Sequence, residues 1–167
     1  MSLISALANV HHQGQFGDFE DKKGDDLLKI SEKKNLLIVQ IVQFKNSSIP
    51  IESIDIDGLK LKDSSLNVAY NENTRILWNG PKNWLLVSSK KDLIKSISLM
   101  CKETDFAVTD LSHSRAVIDI EGNYVLEVLK KGSPFNFDAL KKNNSINSLY
   151  NNIAFTVDLL HDKPFKV

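Results

Sequence analysis

The sequence predicts an α+β fold, with a mixed or antiparallel sheet and flanking helices. Residues 36–44 read LLIVQIVQF, an almost unbroken apolar and β-branched run that is typical of a strand buried on both faces. Residues 75–78 and 84–88 are two shorter runs joined by Asn-Gly-Pro-Lys-Asn, which predicts a hairpin. Residues 123–131 have the apolar spacing of a helix.

Composition excludes several classes of protein. A chain of 167 residues with 42% hydrophobic and 25% charged residues is ordinary for a globular protein and suggests one domain. The formal net charge is zero and the only arginines are Arg75 and Arg115, so we expect no nucleic-acid partner.

Cysteine content and hydropathy indicate a reducing compartment. The single cysteine, Cys101, excludes an internal disulfide, and its apolar neighbours predict a buried structural thiol. No apolar run reaches the about 18 residues that a membrane span needs. The N-terminus lacks the basic region and the full apolar region of a secretion signal. We therefore expect a cytoplasmic protein with no membrane partner.

The N-terminal half is predicted element by element from apolar runs and turn residues. We expect residues 1–26 to form an N-terminal arm, because residues 11–26 are polar and contain glycines. We expect residues 27–167 to form a single domain. The predicted strands before the hairpin are 27–30, 36–44 and 66–70, and a turn is predicted at 71–73. Periodicity leaves residues 46–63 undecided between helix and strand.

The C-terminal half alternates helices and strands. Ser89 predicts the N-cap of a helix with an apolar face at Leu93, Ile94, Ile97 and Met100. The strands predicted after it are 106–111, 116–120 and 153–160. The helix at 123–131 is predicted to end in a left-handed cap at Gly132, with Pro134 blocking continuation. Residues 143–147 predict a polar loop.

Two groups of residues invite a chemical interpretation. Asp110, Ser112 and His113 are hydrolase residue types, but neighbours in an extended segment point to opposite faces, and no G-x-S-x-G elbow is present. Trp78 and Trp84 suggest a stacking platform for a pterin ring, although core or interface packing is the favoured interpretation. We therefore predict no catalytic, cofactor-binding or metal-binding residue.

Three segments carry a resemblance to a known family. They are 75–87 (RILWNGPKNWLLV), 108–115 (VTDLSHSR) and 120–138 (IEGNYVLEVLKKGSPFNFD). Together they resemble the gamma subunits of heterotetrameric sarcosine oxidase, a branch of the aminomethyltransferase (glycine-cleavage T-protein) superfamily. Ser133 stands where the family has cysteine. The chain also stops near Val167, where relatives continue, so we expect a C-terminus shortened relative to the family.

The resemblance implies a fold like the T-protein folate-binding domain and a non-catalytic subunit. The implied complex demethylates sarcosine oxidatively to glycine and passes the one-carbon unit to tetrahydrofolate. The implied cofactors, FAD, FMN, NAD and tetrahydrofolate, belong to the partner subunits, and no cofactor is implied for this chain. The implied partners are the alpha, beta and delta subunits, and the alpha subunit is the direct one. The residues expected at structural or interface positions are Trp78, Trp84, Ser112, His113 and Arg115.

Three alternatives remain open from the sequence. The first is a stand-alone folate-binding or one-carbon module. The second is the small subunit of a complex similar to N-methylglutamate dehydrogenase. A third alternative is a small amine-handling enzyme built on Asp110, Ser112 and His113. No folate-contacting aspartate of the T-protein has a match here, so no folate site is carried over.

Overall fold

The computed structural model describes Ser5, residues 7–17 and residues 26–167. The strands are β1 Gly14–Phe16, β2 Leu28–Lys33, β3 Leu37–Gln43, β4 Asp55–Ile56, β5 Leu59–Lys60, β6 Val68–Tyr70, β7 Thr74–Gly80, β8 Asn83–Ser88, β9 Phe106–Asp110, β10 Val117–Gly122, β11 Ser145–Tyr150, β12 Ile153–Asp158, β13 His161–Asp162 and β14 Phe165–Lys166. The helices are α1 Leu93–Met100 and α2 Val125–Gly132, with 3-10 turns at Ile51–Ser53 and Phe137–Ala139. The α+β class is confirmed.

The described residues form two compact units. The central unit is Asn35–Arg115, and the terminal unit combines the residues up to Lys34 with Ala116–Val167. Within the segment predicted as an arm, β1 pairs antiparallel with β2. An arm over 1–26 and one domain over 27–167 stay a prediction.

An antiparallel sheet in the order β6-β7-β8-β3-β9 forms the central unit. β3 lies between β8 and β9, and five of its seven residues are buried, as the apolar run 36–44 predicts. Its core side chains pack with Trp84, Leu86 and Phe106 from neighbouring strands and with Ile97 from α1. The predicted strands of this unit are confirmed, with shifts of at most two residues at their ends.

Residues 46–63 fold into short elements that periodicity does not report. A 3-10 turn precedes the two-residue strands β4 and β5, which pair across Asp57 and Gly58. Both turn residues have positive φ, 56° and 77°, which identifies the two-residue hairpin turn that Asp-Gly favours. Ile54, Ile56 and Leu61 are buried in the core of the central unit.

The predicted start of α1 is wrong. The helix begins at Leu93, and Asp92 occupies the N-cap position without a side-chain capping bond. Ser89 instead bonds the Asn73 side chain at 3.1 Å, because the end of β8 lies beside the 71–74 turn. The predicted apolar face is right at Leu93 and Ile97, whereas Met100 is 44% exposed.

A second antiparallel sheet, in the order β1-β2-β10-β14-β13, forms part of the terminal unit. Val125, Leu126 and Leu129 of α2 pack in its core with Ile146, Val157 and Leu159. β13 and β14 are absent from the sequence prediction because a two-residue strand leaves no periodic signal.

The predicted left-handed cap at Gly132 is wrong. Gly132 is the last residue of α2, and Ser133 follows it in extended conformation at φ −126° and ψ 139°. Ser133 precedes Pro134, and a residue before proline is driven out of the helical region. The chain therefore leaves the helix through Ser133.

The polar loop predicted at 143–147 is also wrong. β11 begins at Ser145 and pairs along its full length with β12, joined by Asn151 and Asn152 at positive φ. Ser145 and Ile146 are buried. Pairing with β12 therefore overrides the turn-forming composition of this segment.

Candidate functional site

Trp78 and Trp84 lie opposite each other on β7 and β8. Both indole N–H groups donate to the same adjacent segment, Trp84 to the Lys62 carbonyl at 2.8 Å and Trp78 to the Asp63 carboxylate at 2.7 Å. Trp84 is 1% exposed and belongs to the core, while Trp78 is half-buried. Trp84 therefore has no free ring face for a flat ligand.

The turn after β9 is fixed by the side chains of Asp110 and Ser112. The Asp110 carboxylate accepts the Ser112 N–H at 2.9 Å and the Ser112 hydroxyl at 2.6 Å. The Ser112 Oγ accepts the Ile38 N–H at 3.0 Å, and the Leu111 N–H donates to the Ile38 carbonyl at 2.7 Å. Ser112 thus extends the pairing between β3 and β9 beyond the end of β9.

The hydrogen bonds of Ser112 hold the turn together and do not match those of a serine nucleophile. Its hydroxyl proton points to a carboxylate, and among the described residues His113 is not its hydrogen-bond partner. A serine nucleophile needs a base that accepts its proton and then transfers it onward, usually an imidazole. The Ser112 hydroxyl and N–H hold the pKa of Asp110 below its usual range, so Asp110 is a poor proton acceptor.

His113 and Arg115 are exposed on the same turn. The structure therefore brings Asp110 and Ser112 together and leaves His113 and Arg115 in solvent. It also pairs the two tryptophans and places Trp84 in the core. The assignment of these five residues to structural or interface roles stays a prediction.

A polar network around Asp57 joins three turns of the central unit and was missed from the sequence. The Asp57 carboxylate accepts bonds from Lys90 Nζ at 2.7 Å, Thr74 Oγ1 at 2.7 Å and Asn71 Nδ2 at 3.1 Å. Thr74 also bonds the Ser88 hydroxyl at 2.8 Å, and both residues are buried. The network thus links the β4–β5 turn, the β6–β7 turn and the end of β8.

These bonds stabilise the charged form of Asp57. Lys90, then Thr74, then Asn71 lower the pKa of Asp57 from 3.8 to about 2. Every donor of this set comes from within the unit, so the network holds turns in place. The sequence carries a signal for one part of this network, because Asp57-Gly58 between apolar residues predicts a hairpin turn.

An open cavity of about 350 Å³ lies in the terminal unit between residues 7–13 and the end of β2. Its two charged side chains, Glu32 and Lys34, already pair at 3.6 Å. Glu32 also accepts the hydroxyl of Ser5. The charges of this cavity are therefore engaged with each other.

Three further features bear on the chemistry of the described residues. Within them, no three His, Cys, Asp or Glu side chains come together as a metal-binding group. No helix of this part of the chain has the length and apolar character that crossing a bilayer demands. Cys101 is buried as predicted, and desolvation raises its pKa to about 11, which keeps the thiol protonated and unreactive.

Comparison with known proteins gives a clear likeness among solved structures. No family model matches the chain, and no curated protein matches it. Among solved structures, a chain of the heterotetrameric sarcosine oxidase from Corynebacterium sp. U-96, in complex with pyrrole 2-carboxylate, is similar with a TM-score of 0.75. The two chains are 21% identical, and the match covers 86% of this chain and 76% of that chain. The resemblance expected from the sequence is thus confirmed at the level of fold: the chain folds like a subunit of heterotetrameric sarcosine oxidase.

Proposed function

We propose that this chain is the non-catalytic gamma subunit of a heterotetrameric sarcosine oxidase complex. The observation that carries the proposal is the fold likeness to a chain of that enzyme over 86% of the present chain. In the proposed complex, other subunits demethylate sarcosine oxidatively to glycine and transfer the one-carbon unit to tetrahydrofolate.

The family-like segments support a structural role for this chain. Residues 75–87 become the β7–β8 hairpin, which places Trp84 in the core. Residues 108–115 become the end of β9 and the turn in which Ser112 caps Ile38. Residues 120–138 include the end of β10 and all of α2. Each resembling segment therefore contributes to a strand, a turn or a helix end.

Further parts of the proposal concern cofactors, partners and compartment. FAD, FMN, NAD and tetrahydrofolate belong to partner subunits, and the alpha subunit is the direct partner of this chain. The fold is of the type found in the T-protein folate-binding domain. The complex is cytoplasmic, in keeping with the single buried thiol and the near-neutral charge balance.

Co-expression tests the assignment. The tagged chain is expressed with candidate alpha, beta and delta subunits from the same source and purified through its tag. The expected product is a stable four-subunit flavoprotein that oxidises sarcosine. A complete, active flavoenzyme recovered without this chain would overturn the proposal. Assaying the same preparation with N-methylglutamate distinguishes the related dehydrogenase complex.

The non-catalytic role has its own test. His113→Ala in the assembled complex removes an exposed imidazole that bonds neither Ser112 nor Asp110 in the structure. The turnover number should stay within about twofold of the parent, as is usual for an exposed residue outside the reacting groups. A loss of about a hundredfold or more would indicate proton transfer by His113 and favour the enzyme alternative.

A further inference from the structure

The turn after β9 presents its side chains on a rigid backbone. Asp110 and Ser112 hold each other, Ser112 holds Ile38, and the Ser114 N–H donates to the Leu111 carbonyl at 2.9 Å. His113, Ser114 and Arg115 follow one another, all exposed. A pre-ordered segment loses little conformational entropy when a partner binds it.

Arg115 differs from the other arginine of the chain. Arg75 lies over the Tyr70 ring at 5.1 Å and is half-buried. Arg115 is exposed, and it forms no ion pair among the described residues. A guanidinium group binds a carboxylate through two parallel hydrogen bonds, and arginine is enriched in protein interfaces.

The adjacent strand offers backbone groups on the same unit. β9 is the last strand in the order β6-β7-β8-β3-β9, so on one side it has no strand partner among the described residues. The Phe44 N–H donates to the Asp105 carbonyl on the side facing β3. Antiparallel alternation then directs the N–H and C=O groups of Val108 and Asp110 away from β3.

We propose that the outer edge of β9 together with Arg115 is a docking surface for an extended, acidic segment of a neighbouring subunit. The segment adds a strand beside β9 through the backbone groups of Val108 and Asp110, and one of its carboxylates binds the Arg115 guanidinium. Strand addition at an open edge supplies affinity, and the charge pair fixes the register. The inference rests on the proposed function, since it needs an assembled complex.

Charge variants of the full chain in the co-expressed complex test the ion pair. Arg115→Glu should weaken retention of the other subunits about tenfold or more, and Arg115→Lys should weaken it less because the charge remains without the bidentate fork. Lys91→Glu reverses another exposed cation of the same unit and should leave retention unchanged. Unchanged melting temperatures of the isolated variants show that they are folded.

A backbone variant and a cross-link test the strand. Val108→Pro removes the outward N–H and no hydrogen bond to β3, and it also replaces a side chain that packs against the core. If its melting temperature shows that it is folded, this variant should also release the partner. A photoreactive maleimide on Ser114→Cys reports the neighbour directly, because the native Cys101 is 2% exposed and stays unlabelled. The cross-linked peptide should contain Asp or Glu residues.

The outcomes separate the two claims. If the parent chain assembles but Arg115→Glu assembles equally well, the docking surface is wrong and the proposed function stands. If Ser114→Cys cross-links only to peptides without Asp or Glu, the docking surface is likewise wrong and the proposed function stands. If the parent chain does not assemble at all, both the docking surface and the proposed function are overturned.

Discussion

The Tyr150 ring lies directly against the backbone of Gly132. A Cβ placed on Gly132 would come within 2.6 Å of two ring carbons of Tyr150, closer than side-chain carbons approach each other. Phe155 packs edge-on against the same ring with centroids 6.2 Å apart, and the Asn151 N–H donates to the Gly132 carbonyl at 2.9 Å. The β11–β12 hairpin is thus fixed on the end of α2 by a contact that only glycine permits.

This contact predicts that Gly132→Ala destabilises the protein. In a helix, alanine is favoured over glycine by about 1 kcal/mol. Overlap with a packed ring costs about 1–3 kcal/mol and acts in the opposite direction. We expect the free energy of unfolding, measured in urea, to fall, and to fall further for the larger Gly132→Val.

Two controls separate the ring contact from helix propensity. Lys131→Ala changes an exposed residue of the same helical turn and should alter stability by less than about 0.5 kcal/mol. In a Tyr150→Ala background, Gly132→Ala should become stabilising because the ring is gone. An equal loss of stability in both backgrounds would contradict the explanation.

The Asp57 network predicts a loss of stability at acidic pH. The pKa of Asp57 is lowered from 3.8 to about 2 in the folded chain. A lowered folded-state pKa means that the stabilisation is complete above the unfolded value near pH 4 and is lost as pH falls towards 2. The contribution is at most about 2.5 kcal/mol, since one pKa unit corresponds to about 1.4 kcal/mol.

Asp57→Asn isolates this effect, because asparagine tolerates the positive φ of 56° at this turn position. The variant should be less stable than the parent at pH 7, and the difference should shrink below pH 4. Glu52→Gln, at an exposed carboxylate, serves as the control. A difference between Asp57→Asn and the parent that stays constant from pH 7 to pH 2.5 would show that the charge of Asp57 is not responsible.

Ser112→Ala should weaken the turn after β9. The substitution removes the acceptor for the Ile38 N–H and the hydroxyl that donates to Asp110, which we expect to cost about 1–2 kcal/mol of stability. The pKa of Asp110, followed by NMR, should rise towards its ordinary value because the Ser112 hydroxyl no longer donates to the carboxylate. An unchanged Asp110 pKa would contradict the bond seen in the structure.

Tetrahydrofolate should leave the tryptophan fluorescence of the isolated chain unchanged after correction for absorbance. Trp84 is 1% exposed with its N–H bonded to Lys62, so it offers no face for stacking. Trp78 is half-buried and bonded to Asp63. Saturable quenching that disappears in Trp78→Phe would instead support the stand-alone folate module.

The sequence predicted those features that depend on local pattern. The buried strand β3 follows from a continuous β-branched run, and the β7–β8 hairpin follows from Asn-Gly-Pro. The Asp57-Gly58 turn carried an equally readable signal. By contrast, the role of Gly132 was misassigned, because a glycine at a helix end suggests a left-handed cap and Tyr150 is 18 positions away in the sequence.

By itself, the sequence determined the α+β class, the burial of Cys101 and the likeness to sarcosine oxidase subunits, because each depends on residues that are neighbours in the chain. Only the tertiary structure decided that Asp57 joins three turns, that Ser112 caps β3 and that Gly132 makes room for Tyr150. Each of these contacts links residues at least 14 positions apart. Periodicity and turn signals report local backbone preference, whereas such contacts depend on how strands pair and pack.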